Sequence, residues 1–293
     1  MPPGPWLAAL AFALGLVVGS FLNVVIARVP AGQSIVRPGS RCPRCGHSLA
    51  WFENIPLLSW LALGARCRAC RAPISARYPL VELLTGCLFL ACWLRFGPSW
   101  ELLRALLLVG TLVPLTFIDL ETWLLPFELT LPGLAAGLLS SALLGWDALA
   151  GSVLGAAAAF LFFWALERAV RWALRREGMG AGDKWLAALI GAYLGWRALF
   201  GVVLLSNVQG ALVGGALLLF RGRAGPSPAA VPVPTPPPPE TVHPGEEDWQ
   251  PGPTHLPFGP WLALAALELL LLGPLLRELL PPALGILITG SPG

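Results

Sequence analysis

Charge is what this chain has least of. Of its 293 residues, 12% are charged and 56% hydrophobic. An ordinary soluble domain carries about 25% charged residues, so roughly half the charge needed to clothe a globular surface is present. Histidine is nearly missing: His47, His243 and His255 are the only three, none lies in an apolar stretch, and HExxH does not occur. A Ser/His membrane protease and an intramembrane metalloprotease therefore both lack parts. Lysine occurs once, at Lys184, and aspartate four times, at Asp119, Asp147, Asp183 and Asp248. Period-2 alternation is scarce, which argues against a transmembrane barrel. No internal repeat is present. A soluble enzyme, a secreted disulfide scaffold and a disordered chain are all excluded.

What the chain does have is apolar runs near the ~20 residues that a helix needs to cross a bilayer. They fall at Leu7–Ile26, Leu80–Phe96, Leu102–Ile118, Leu129–Leu144, Ala148–Leu166, Trp185–Leu194, Leu199–Phe220 and Trp261–Leu280. The expectation is an all-α polytopic membrane protein with about eight transmembrane helices. The first run has no cleavage-site cluster after it and reads as a retained helix. With eight spans and the N-terminus outside, fifteen of the nineteen Lys and Arg residues fall on one side, Arg28–Arg77 among them. That side is expected to be cytoplasmic. Two stretches stand apart from the membrane. Residues 29–78 hold four of the six cysteines, and residues 224–257 carry twelve of the thirty prolines. The second has too little apolar surface to fold and reads as an extended linker. The expected divisions are 1–28 (first helix), 29–78 (metal-binding domain), 79–223 (helices two to seven), 224–257 (linker) and 258–293 (last helix and tail).

Cys42-Pro-Arg-Cys45 and Cys67-Arg-Ala-Cys70 are two CxxC knuckles with 21 residues between them. This is close to zinc-ribbon spacing, in which four thiolates close a tetrahedral shell. A loop of about 50 residues is too small for a good core, and a structural Zn2+ would replace one. A reducing cytoplasm disfavours disulfides there. The alternative is a redox CxxC or unligated cysteines. Cys87 and Cys92 lie in the second run and read as small buried apolar residues.

With histidine out, carboxylates remain. Asp119 and Asp183 fall at the cytoplasmic ends of two spans, 64 residues apart in sequence. Returned to one membrane level, two carboxylates can share a proton: one acts as base on a water while its protonated partner polarises a carbonyl. The plainer alternative is that each caps a helix at the interface. Asp183 closes Gly178-Met179-Gly180-Ala181-Gly182-Asp183, and Gly178, Gly180 and Gly182 would let a backbone approach closely. Lys184 follows, either as a neighbour acting on Asp183 or as an interfacial anchor. Glu82, Glu268 and Asn23 are costly in lipid and are expected to face the bundle interior.

Taken together, these residues resemble the type IV prepilin peptidase family, the GxGD-type intramembrane aspartic proteases. The likeness is carried by Gly19-Ser20-Phe21-Leu22-Asn23, Trp51-Phe52-Glu53-Asn54-Ile55-Pro56 and Pro73-Ile74-Ser75-Ala76-Arg77-Tyr78. It continues through Phe117-Ile118-Asp119-Leu120-Glu121, Gly178–Asp183 and Leu256-Pro257-Phe258-Gly259-Pro260. The resemblance implies cleavage of the basic leader of type IV prepilins or pseudopilins at the cytoplasmic face of the bacterial inner membrane. N-methylation of the new terminus from S-adenosylmethionine would follow. It further implies Asp119 and Asp183 as the catalytic pair, and Cys42, Cys45, Cys67 and Cys70 as zinc ligands. Gly178, Gly180, Gly182 and Lys184 are expected to position substrate. Partners would be the prepilin and membrane lipid, with no nucleic acid. Two other readings stay open: a protease without methyltransferase activity, and a non-catalytic zinc-bearing membrane scaffold.

Overall fold

The computed structural model describes residues 5–174, 180–221 and 257–289. Each of the eight apolar runs forms a helix. The helices are α1 (Pro5–Arg28), α2 (Leu58–Ala62), α3 (Arg77–Phe96), α4 (Trp100–Thr122) and α5 (Phe127–Ala142). They continue as α6 (Trp146–Leu174), α7 (Asp183–Leu194), α8 (Leu199–Arg221), α9 (Gly259–Leu279) and α10 (Pro282–Thr289). Among the described residues there is no strand, only two isolated bridges in the cysteine loop. Six helices are long and apolar enough to cross a membrane: α1, α3, α4, α6, α9 and the stretch Trp196–Leu217 that contains most of α8. Helices α5 and α7, with 16 and 12 residues, are shorter. The chain is a multi-pass membrane protein. Most of the 224–257 linker, and Gly178, lie outside the described residues.

Helix α4 is the centre of the bundle because two of its faces are apolar. Leu108, Leu112 and Leu115 recur at helical spacing and join Phe163, Leu186, Leu189 and Leu262 in one cluster. Ala105, Val109 and Val113 face another cluster with Leu22, Ile26, Val81 and Phe89. One helix thus ties α1 and α3 to α5–α9.

With lipid outside, little hydrophobic force acts between spans, so close packing depends on small residues. A Cβ on Gly15 of α1 would stand 2.8 Å from the Gly86 Cα of α3, so these helices meet backbone to backbone. Gly155 of α6 and Gly191 of α7 do the same, each lacking the Cβ that would run into the other's carbonyl. This lets α7 be buried all round, from Leu186 to Tyr193. At its far end Gly195, with φ +77°, stops the helix before the 3-10 turn Trp196–Ala198. There Arg104 of α4 donates to Ser141 Oγ of α5 (3.0 Å) and to the Tyr193 carbonyl of α7 (3.2 Å). Three helices are clasped by one guanidinium.

The tail expected after the last span holds a further helix. Pro281 and Pro282 interrupt the apolar run, and α10 folds back along α8 and α9. Arg277 of α9 donates to Thr289 Oγ1 at its end (3.2 Å).

Candidate functional site

Asp119 occupies the last turn of α4, which ends because Trp123 adopts the left-handed conformation and donates its N–H to the Asp119 carbonyl. The Asp119 side chain turns inward and the residue is 4% exposed. Asp183 is the first residue of α7, 6% exposed, with its own N–H on the Gly180 carbonyl at 3.2 Å. The fold brings the two to one place: a Cβ on Gly259 of α9 would touch both Asp119 Oδ2 and Leu186, one turn beyond Asp183. Asp119 Oδ2 is buried without a hydrogen-bond partner. An unsatisfied carboxylate oxygen is costly in a bundle interior, and native structures keep such groups where function needs them. A buried carboxyl pair with a free oxygen can hold one proton between them and activate a water.

The glycines before Asp183 have distinct surroundings. A Cβ on Gly182 would meet Leu125 at 2.7 Å, so α7 sits directly on the α4–α5 connection. Gly180 has room for one, 3.5 Å from Asp183 Oδ2. Lys184 turns away from Asp183 and pairs with Glu167 of α6 at 2.7 Å; Glu167 also accepts from Arg171 at 2.8 Å. Beside Asp119, Glu121 takes a two-pronged bond from Arg77 Nη1 (2.7 and 2.6 Å), which ties the end of α4 to the start of α3. A residue missed as a site candidate also lies here. Gly259, first in α9, packs directly on the Asp119 carboxylate, and a Cβ there would collide with Oδ2.

The polar groups in the spans do face inward. Asn23 Nδ2 donates to the Tyr78 carbonyl (3.0 Å) and Glu82 accepts the Leu57 N–H (2.8 Å), anchoring the cysteine loop to α3. Glu268 of α9 accepts from Gln209 of α8.

In that loop the four sulfurs of Cys42, Cys45, Cys67 and Cys70 lie within 4.8 Å of one another. Cys42 and Cys70 are 3.8 Å apart, Cys45 and Cys67 4.0 Å. A Zn–S bond of about 2.3 Å makes the edge of a ZnS4 tetrahedron ~3.8 Å. The set fits zinc. Each knuckle repeats one backbone pattern. Cys42 N–H bonds the His47 carbonyl and Gly46 N–H the Cys42 carbonyl, matched by Cys67 to Ala72 and Arg71 to Cys67. The backbone N–H groups of Cys45 and Arg44 pull the Cys42 thiol below its ordinary range, toward the thiolate a metal binds. Outside the shell, Glu53 accepts from the Ala50 N–H (2.8 Å) and meets His47 Nε2 (3.2 Å), and both hold its carboxyl below its ordinary range.

A methyl donor is not matched in this way. Two cavities among the described residues are walled by apolar groups, one by Phe163, Ile190 and Val202, the other by Phe21, Phe89 and Leu106. Neither offers a carboxylate to a sulfonium or a ribose.

The arrangement defines a class: a polytopic helical membrane protein with an acidic site inside its bundle and a four-thiol loop outside it. Comparison with known proteins is more specific. The model of the bacterial peptidase A24 N-terminal domain matches residues 13–96, and that of the type IV leader peptidase family matches residues 106–215. The chain belongs to the type IV leader peptidase family. It is 53% identical to the prepilin leader peptidase/N-methyltransferase of Myxococcus xanthus, with 99% of this chain and 97% of that protein covered. It is 42% identical to the protein of the same name from Aeromonas hydrophila, with 92% of each chain covered. No solved structure matches the chain.

Proposed function

We propose that this protein is a prepilin leader peptidase and N-methyltransferase that works by a two-aspartate mechanism at the cytoplasmic face of a bacterial inner membrane. The observation that carries the reading is that Asp119 and Asp183 are both buried inside the bundle, with one Asp119 oxygen unpartnered. One ionised carboxylate takes a proton from water, and its protonated partner donates to the scissile carbonyl oxygen. The tetrahedral intermediate then collapses, returning that proton, and the amine leaves protonated by the first aspartate. Both aspartates end the arginine-rich side of the bundle, which supports a cytoplasmic cut at the base of a membrane-embedded substrate helix. Cys42, Cys45, Cys67 and Cys70 hold a structural zinc that replaces a core in the loop. S-adenosylmethionine would be the methyl donor of the second reaction.

The test is intact-mass analysis of a prepilin incubated with membranes carrying the protein, with and without S-adenosylmethionine. Leader loss plus one methyl mass is the expected product. Leader loss alone would leave a protease without methyl transfer, and an intact precursor beside an active control enzyme would overturn the reading. Metal analysis should find one zinc per chain, lost when any of the four cysteines becomes serine; a metal-free purified protein would refute the shell.

A further inference from the structure

We propose that Gly259 is a positioning residue for Asp119, and that the first turn of α9 forms a third wall of the peptidase site. This rests on the two-aspartate reading above. The argument begins with the unpaired N–H groups of any helix start. In α9, Pro260 has none to offer. Those of Trp261 and Leu262 turn back onto the Phe258 carbonyl at 3.1 and 3.2 Å. That leaves the N–H of Gly259, on the residue whose missing Cβ would run into the Asp119 carboxylate.

Space makes the position specific for glycine. A Cβ at 259 would collide with Asp119 Oδ2 and stand 3.3 Å from Leu186 Cδ2, one turn beyond Asp183. Neither neighbour can yield easily: Asp119 is 4% and Leu186 1% exposed, and Leu186 belongs to the central cluster. The missing side chain is therefore what lets α9 close on the carboxylate. The first turn of α9 thereby closes the space beside the Asp119 carboxylate and holds it in place relative to α7.

The experiment uses the full chain in lipid vesicles with a prepilin substrate. Gly259→Ala is expected to lower kcat about 100-fold, the scale of a ~1 Å displacement of a reacting group. KM should stay within about twofold, because the residue touches Asp119 and not the peptide. Gly273→Ala, on the same helix where an added Cβ meets nothing within 4 Å, should keep the parent rate. A second measurement does not depend on turnover: Asp119→Cys with Gly259→Cys should form a disulfide on mild oxidation, mapped by peptide mass. Full kcat in Gly259→Ala, a loss expressed in KM alone, an equal loss in Gly273→Ala, or no cross-link would each overturn the proposal. Full cleavage by Asp119→Asn would instead sink the two-aspartate reading, with the cross-link still reporting the contact.

Discussion

At the scale of single residues, the chemistry rests on one carboxylate oxygen left without a hydrogen bond and two knuckles unequal in strain. Replacing Asp119 or Asp183 by Asn keeps the volume and removes the proton exchange, so each variant should abolish leader cleavage while staying in the membrane. Gel-shift assay of the prepilin reads this, and full processing by either would reject the pair. The knuckles offer a finer comparison. Gly46 (φ +73°) and Arg71 (φ +59°) hold equivalent places, four residues after the first cysteine of each pair. A side chain in this conformation costs roughly 1–2 kcal/mol. Arg71→Gly should therefore slow zinc release to a chelator, and Gly46→Ala, which meets no atom within 4 Å, should speed it. The same sign in both variants would discredit the backbone argument. The four thiols were legible because CxxC spacing is a local signal, and Asp119 and Asp183 because almost no other reactive group competes with them. Gly259 was not, since a glycine at a helix start carries no side chain to betray a contact. The partner of Lys184 was hidden for another reason: Glu167 is on a different helix, and adjacency to Asp183 pointed the wrong way.

At the scale of elements, the site depends on how α4 and α7 are held in register from the opposite end. Arg104 supplies that hold through Ser141 and the Tyr193 carbonyl, with its side chain 14% exposed. Hydrogen bonds to a charged group contribute about 1.5–3 kcal/mol. Arg104→Met should lower the thermal midpoint in detergent micelles and slow cleavage. Arg104→Lys should recover only part of either, because an ammonium cannot reproduce a planar fork. An unchanged midpoint in Arg104→Met would remove the clasp from the account. Apolar runs announced the long helices well, as hydropathy alone dictates them. It could not separate α10 from a tail, because the Pro281-Pro282 break sits inside continuous apolar sequence. Nor could it reveal that α7 is enclosed on every side, which depends on Gly155 and Gly191 meeting across two helices.

At the scale of the whole molecule, the helices of the bundle are unequal in length. Helices α1, α3, α4, α6 and α9, with 24, 20, 23, 29 and 21 residues, rise about 30 Å or more. Between them, α5 and α7 rise only about 24 and 18 Å. A hydrocarbon core is about 30 Å thick. Since α5 exposes Leu131 and Leu139 to its surroundings, lipid beside it faces a hydrophobic mismatch that lipid beside α1 does not. A bilayer that thins locally on that flank draws headgroups and water down toward the level of Asp183. Cleavage should therefore run faster in vesicles of short-chain phosphatidylcholine than in long-chain vesicles of equal fluidity, and indifference to chain length would contradict it. On this view the short helix makes the membrane itself an adjustable component of the enzyme, with acyl-chain length governing how readily water reaches the aspartates.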